Sequence, residues 1–322
     1  MNRTLLLLLL SFGWGCSCDA DRRSQKTNAK ARVGSKVGPT EIQAIASEPL
    51  DLAKLPGDRD LFSRLVSMPF EEARLRLAQA LVWRGEARLS FTVAGGRSLS
   101  LSEEAEIQDD PKKDALEILV KNDGGFAQRI IHSNGMMYRR YSQGQFIAQR
   151  DLDGQRWQYA NEAYGIASMG LNLVGHLLSL GSPKNQTIMN RQARCFPFEE
   201  SKNPMPFKTS NRPGQRHATD LKSWRQGLKI ETVTGSLCLD VSNGTVLTSR
   251  LSFRAVRDVD GGKAAFLQLE MSSGFATIGA PAPVIQAPES YLESLKRARR
   301  ARPATGFLDG GPIKATPSPD AG

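Results

Sequence analysis

Between residues 86 and 150 apolar and polar side chains alternate in consecutive runs: EARLSFTV, RSLSLSEEAEI, DALEILVK, FAQRIIH, MMYRRY and QFIAQR. Leu89, Phe91 and Val93 share one face of the first run. Leu99, Leu101, Ala105 and Ile107 share one face of the second, and Leu116, Ile118 and Val120 one face of the third. Successive side chains of a strand point to opposite sides, so this period predicts a sheet with one dry and one wet face. The runs are divided by GG, DDP, NDGG, SNG and SQG, whose Gly, Asn and Asp supply the positive φ that tight hairpins need. The stretch therefore reads as an antiparallel up-and-down meander.

The flanking pattern changes period. Asp60 opens a helix carrying Leu61, Phe62, Leu65 and Val66, and Pro69 starts a second segment with Glu71 and Glu72 in its first turn. That segment continues through Ala73, Leu77, Leu81 and Val82, and Trp83-Arg84-Gly85 ends it. After the meander, Tyr159 to Leu180 has helical spacing in Ala160, Ala163, Tyr164, Ala167, Leu171, Val174, Leu177 and Leu178. It is apolar for a surface helix and contains Gly165, Gly170 and Gly175, each costing roughly 0.8–1 kcal/mol of helix stability relative to Ala. Two readings of it stand: a core helix lying on the sheet, or a mobile plug over an apolar groove.

Residues 182–199 hold a strand pair or one strand with an irregular end, and 201–220 form a polar, Pro-containing loop. Strands follow at Ser236 to Val241, Val246 to Val256 and Lys263 to Ser272, with hairpin turns at Ser242-Asn243-Gly244 and Asp260-Gly261-Gly262. Phe275 to Pro288 reads as an extended, Pro-bounded edge, Ser290 to Arg302 as a short basic helix, and Pro303 to Gly322 as a tail with no means of packing.

With 322 residues the chain can bury a sizeable core. Its formal net charge of +10 is concentrated near the ends, in Arg22, Arg23, Lys26, Lys30, Arg32 and Lys36 and in Lys296, Arg297, Arg299, Arg300 and Arg302. No zinc knuckle, basic zipper or other reading motif accompanies those charges, so nucleic acid is not the expected partner. The N-terminus, MNRTLLLLLLSFGWGCSC, has the form of a secretory signal and is too short to remain as a spanning helix. Cleavage ahead of a cysteine resembles the bacterial lipoprotein signal, in which the new terminal Cys carries lipid. Gly15-Cys16 fits it best and Ser17-Cys18 competes. Each buried methylene contributes ~0.8 kcal/mol, so several acyl chains anchor a protein durably. A bacterial envelope protein, tethered to a membrane and facing the periplasm, is the expectation.

Candidate chemistry is sparse. His132, His176 and His217 show no metal-ligand spacing, and there is no Cys-x-x-Cys, G-x-S-x-G, G-x-x-x-x-G-K or H-E-x-x-H. Glu104 and Glu106 fall on the wet face of their run. No metal, no cofactor and no catalytic residue is assigned, and the chain is not expected to be an enzyme. Cys195 and Cys238 both lie in expected strands of an exported protein, so they are expected to form a disulfide. Cys238, between Leu237 and Leu239, should face away from the apolar side.

The order of signal, linker, leading helix, long meander, central apolar helix and further strands resembles the LolA/LolB-like envelope proteins. The stretch GSLCLDVSNGTVLTSRLSF looks like that family's recurrent hairpin. The family includes lipoprotein carriers, glycolipid-carrying lipoproteins and a periplasmic sensor domain. The resemblance implies an α+β fold in which a curved antiparallel sheet, an unclosed half-barrel, holds helices on its concave side. The expected layout is a signal at 1–18, a flexible linker at 19–57, the half-barrel domain at 58–289 and a basic helix with a disordered tail at 290–322. Leu89, Phe91, Leu116, Ile118 and Val120, with Leu171, Val174 and Leu178, are the candidate lining of an apolar groove; ordinary core is the alternative. The resemblance implies a lipid or acylated-protein ligand, or else a filled core with an envelope protein partner.

Overall fold

The computed structural model describes residues 50–94, 98–151, 154–204, 227–259, 263–279 and 281–293. The leader with Cys16 and Cys18, most of the linker, most of the 201–220 loop with His217, and the tail beyond Glu293 lie outside the described residues.

Two short helices lead, α1 (Arg59–Val66) and α2 (Phe70–Leu77). Asp58 caps α1, its carboxylate accepting from the Leu61 N–H at 2.9 Å, so the helix opens just ahead of Asp60. Pro69 precedes α2 and offers no side-chain cap. The orphan N–H of Phe70 instead donates to Asn161 Oδ1, 2.8 Å away and 91 residues later. Ala78, in the left-handed region at φ 52°, stops α2. Leu81 and Val82 are therefore strand and not the end of the helix, because their backbone pairs with neighbours on both sides.

The meander follows as expected: β1 (Leu81–Val93), β2 (Ser98–Asp110), β3 (Ala115–Asn122), β4 (Ala127–Ser133), β5 (Met136–Tyr141) and β6 (Ile147–Arg150). The expected single helix at 159–180 is four pieces. They are α3 (Gln155–Tyr164), α4 (Ile166–Val174), a 3-10 turn at Gly175–Leu177, and the strand β7 (Leu178–Leu180). Gly165 and Gly175 mark the breaks, where helix propensity is lowest. Gly170 has a different reason to be Gly: a Cβ there would lie 3.0 Å from Leu269 and Met271, so α4 sits directly on the sheet.

The second half contains β8 (Lys184–Ile188), β9 (Arg191–Glu200), β10 (Lys229–Asp240), β11 (Val246–Val259), β12 (Lys263–Ile278) and β13 (Leu292–Glu293). Met189 and Asn190, at φ 49° and 60°, make the two-residue turn between β8 and β9. β12 runs on through Phe275 to Ile278, which pair with β1 on one side, while the pairing with β11 ends at Gly274. Leu292 and Glu293 pair in parallel with β6, so the expected basic helix does not begin at Ser290.

The strand order is β13–β6–β5–β4–β3–β2–β1–β12–β11–β10–β9–β7, with β8 hairpinned onto β9. Pairing of β1 with β12 welds two meanders into one curved antiparallel sheet, and β13 at one end does not pair with β7 or β8 at the other. The fold is thus α+β with an open sheet. The inner face of the sheet carries Trp83, Ile107, Ile118, Ile130, Leu251, Phe253 and Leu269, which pack with Phe62, Phe70, Ala163, Leu171 and Val174 of the helices. A smaller cluster lies on the outer face: Ala115, Ile131, Tyr138, Phe146 and Ala148, covered by Ile285 of the chain that leads to β13.

Candidate functional site

The inner face of the sheet is where a ligand of an open half-barrel would lie, and α1 to α4 occupy most of it. Leu116 and Ile118 on the sheet and Leu171, Val174 and Leu178 on the helical side are buried in the main core. Leu89, Phe91 and Val120 are only partly buried and pack against that core from its rim. The groove residues thus divide into five that are core and three on a strip of strand running past the helices. Leu101, paired with Leu89 across the first hairpin, is a fourth half-buried apolar residue on the strip. The alternation of the run had placed it on this face, but alternation cannot say how far a helix reaches.

Glu103, opposite Ala87 and Asn122, places a carboxyl on this face. Burial pushes its carboxyl above the usual range. Beneath the helices, Leu65, Trp83, Tyr164, Leu171, Leu237, Ser249 and Ser273 surround a cavity of about 20 Å³. Ser249 Oγ is buried there without a hydrogen-bond partner. That space and that polar atom suit one water molecule, and no acyl chain. The roomier hollows, about 430 and 450 Å³, are on the outer face and lined by Arg84, Glu86, Glu106, Lys121, Arg250 and Glu270. Such walls favour water over hydrocarbon.

A charged seam fastens the helices to the sheet. Arg74 on α2 donates to Asp109 at 2.7 Å and lies 5.0 Å from the centre of the Trp157 ring, while Arg156 lies 4.7 Å from the same ring. Burial outweighs the Arg74 ion pair and pushes Asp109 up to about 6. His132, buried, sits with Nδ1 2.9 Å from the Asp114 carbonyl and a ring nitrogen 2.8 Å from Arg156 Nη1. Burial first, then the Arg156 charge, hold its pKa below the ordinary value, so it is neutral at pH 7. Arg76 and Glu72 form a second buried pair on α2, and Arg76 Nη1 donates to the Asn243 carbonyl at 2.9 Å, tying that helix to the turn between β10 and β11. These contacts hold elements together. His176 is buried in the 3-10 turn, remote in sequence from the seam. Among the described residues no three His, Cys, Asp or Glu side chains gather as a metal site.

Cys195 and Cys238 are directly opposite on β9 and β10, with Cα atoms 3.9 Å apart, and form the expected disulfide. Leu237 pairs with Ser249, beside which it lines the interior cavity, and Cys238 pairs with Thr248, so the two side chains take opposite faces; Cys238 is nevertheless buried, as both flanking leucines are. The register of β10 against β11 shifts between Cys238 and Leu239.

No family model and no curated protein matches the sequence. Solved structures similar to it include DynF from the dynemicin biosynthesis pathway of Micromonospora chersina, with 8% identity over 63% of this chain and 82% of that chain and a TM-score of 0.17. A domain from Vibrio parahaemolyticus described as an outer membrane lipoprotein-sorting protein gives 10% identity over 60% and 86%, with a TM-score of 0.16. None of the site's geometry rests on overlaps of this size. The family that the order of elements resembles is also met among the solved structures: the chain is similar to LolA superfamily protein NE2245 from Nitrosomonas europaea, at 7% identity over 60% of this chain and 85% of that chain, with a TM-score of 0.15.

Proposed function

We propose that this is a lipid-tethered protein of the bacterial cell envelope that binds a lipid, or the acyl chain of a lipoprotein, on the inner face of its open sheet. One observation carries the reading: the apolar inner face continues past its helices as the half-buried strip Leu89, Phe91 and Val120. An acyl chain leaving a bilayer loses ~0.8 kcal/mol of stabilisation per methylene, and a receiving surface must offer comparable burial. The strip offers part of it. The rest requires α4 to lift from Leu269 and Met271, and Gly165 and Gly175 at its ends are the natural hinges. Acylation of Cys16, or of Cys18, keeps the protein beside the membrane that supplies the ligand. No catalysis is assigned to the chain.

The water-sized interior cavity favours a second reading, a tethered sensor or assembly component whose core is permanently filled and whose ligand is a protein. Native mass spectrometry of the full chain purified from a bacterial host separates the two. Co-purified lipid of discrete mass, lost when Leu89→Glu and Val120→Glu are introduced, is the expected result for lipid binding. A protein mass free of any non-covalent lipid, in a preparation whose disulfide is intact, would remove the first reading and leave the second.

A further inference from the structure

The row of inner-face side chains that holds Val120 continues across the sheet. Val120 pairs with Gln128 on β4 and Gln128 with Tyr141 on β5, so the three stand side by side on one face. Gln128 Nε2 donates to the Tyr141 hydroxyl at 3.3 Å, and Tyr141 is 43% exposed. Within two strands the surface turns from apolar to polar. Arg139, two residues before Tyr141, projects from the same face, with buried Ile130 opposite on β4 and exposed Ile147 opposite on β6. Its guanidinium lies 5.3 Å from the centre of the Tyr141 ring and 5.9 Å from that of Tyr159 on α3. Arg139 Nη1 also donates to the Tyr159 hydroxyl at 2.5 Å. Two rings and one neutral oxygen thus hold the fork in place.

Among the described residues no carboxylate pairs with Arg139. The acids of neighbouring elements are engaged elsewhere: Glu117 with Arg129 at 2.7 Å, Asp114 and Asp151 with Arg156 at 3.0 and 3.4 Å. Glu162 on α3 accepts from Gln158 at 3.0 Å. Glu103 is on β2, three strands away from β5, a separation of about 14 Å at ordinary strand spacing. Arg139 is half-buried. A cation in that position gives up hydration that one neutral hydroxyl replaces only in part. An anion with several acceptor oxygens would complete the set, since a guanidinium fork meets phosphate oxygens two at a time. Tyr159 accepts from Arg139 and keeps its own O–H to donate to the same anion.

We infer that Arg139, framed by Tyr141 and Tyr159, is the subsite for the phosphate of a phospholipid whose acyl chains lie on the strip of Leu89, Phe91 and Val120. The inference rests on the lipid-binding reading above and adds the class of headgroup: a phosphate ester is selected over a neutral glyceride. From Phe91 on β1 to Arg139 on β5 is four strand spacings, roughly 19 Å, so chains and headgroup would lie across the strands. The apolar end of the row supplies burial, and the polar end supplies selectivity.

The test titrates the full chain, stripped of co-purified lipid, with dihexanoyl phosphatidylglycerol and with dihexanoylglycerol, and counts the complexes by native mass spectrometry. The parent should bind the phospholipid about ten- to hundredfold more tightly, the margin that charge-assisted hydrogen bonds give. Arg139→Gln should erase that margin and leave the affinity for dihexanoylglycerol where it was. Arg139→Lys, which keeps the charge without the fork, should retain part of it. Inorganic phosphate in excess should compete weakly, and against the phospholipid alone. Equal affinity of the parent for both lipids would overturn the subsite and leave the strip as a lipid site. Equal loss of both lipids in Arg139→Gln, with the parent's thermal unfolding kept, would do the same. Displacement by inorganic phosphate at the concentration of the phospholipid itself would mark a site for a soluble anion and also overturn it. A parent that binds neither lipid would overturn the lipid-binding reading, and the subsite with it.

Discussion

The two ends of this sheet solve the problem of an unclosed edge in opposite ways. At the β9–β10 end the strands are joined covalently by Cys195–Cys238, Phe196 and Leu239 are fully buried, and Arg76 of α2 reaches over to hold the following turn. At the β5–β6 end the chain 281–293 crosses the outer face, buries Ile285 in a small cluster and adds only two residues of parallel strand. An edge strand presents unpaired backbone groups and must be covered, charged or kept short. The first end is locked, and the second is short, basic and partly greasy. What the difference teaches is that the locked end bears stability while the other remains available for contact.

That contrast can be broken by substitution, and the largest effect belongs to the locked end. Phe196→Ala should cost about 3–5 kcal/mol, because it empties a fully enclosed site, and denaturant unfolding would show it. A loss below about 1 kcal/mol would mean that this end is not the better packed one. Replacing Cys195 and Cys238 together by Ser should cost somewhat less. The bridged residues are 43 apart in sequence, for which loop-closure entropy gives roughly 4 kcal/mol as an upper guide and about 2–4 kcal/mol as the working range. Reductant should lower the unfolding temperature of the parent but not of that variant.

The seam between the two ends should respond to pH. The Asp109 pKa in the folded protein, about 6, lies above its unfolded value. The folded state therefore takes up this proton first, and the Asp109 contribution to stability rises as pH falls from above 6 towards 4. Asp109→Asn should abolish that rise, on the order of 2–3 kcal/mol. His132 has the opposite sign: its lowered folded pKa makes it destabilising as pH falls through its ordinary range. His132→Asn should accordingly flatten the acid limb of the stability profile. If Asp109→Asn and the parent show parallel profiles, the seam carries no proton linkage. The smallest effect is expected at the open end, where Tyr291→Ala removes one edge-on contact with Tyr138 and should cost about 0.5–1.5 kcal/mol.

Much of this was legible from residues because alternation is a local signal. The first meander was readable because GG, SNG and SQG mark its turns and its apolar faces have period two. Both cysteines were recognisable as strand residues, and Ser242-Asn243-Gly244 announced its own hairpin. The misreadings share a cause. Leu81, Val82 and Leu178 to Leu180 are apolar enough to extend a helical pattern, and only pairing partners far along the chain make them strands. Ile130 and Ile131, adjacent in sequence, are both buried. Nothing local says that β4 is covered on both faces, since the outer cover comes from residue 285. For the site, alternation selected the correct face of the sheet at Leu89, Phe91, Leu116, Ile118 and Val120. Whether each of these is core or rim depends on where α3 and α4 stop.

By itself, then, the sequence determined most of the strands, their turns and the faces they bury, because period and turn chemistry act within a few residues. Tertiary structure alone decided that β12 joins β1 to make one open sheet, that the helices leave Leu89, Phe91 and Val120 half-buried at their rim, and that Tyr141, Ile147 and Leu292 meet at an edge. Those outcomes depend on which distant surfaces compete for the same burial, a choice no single stretch of chain can make.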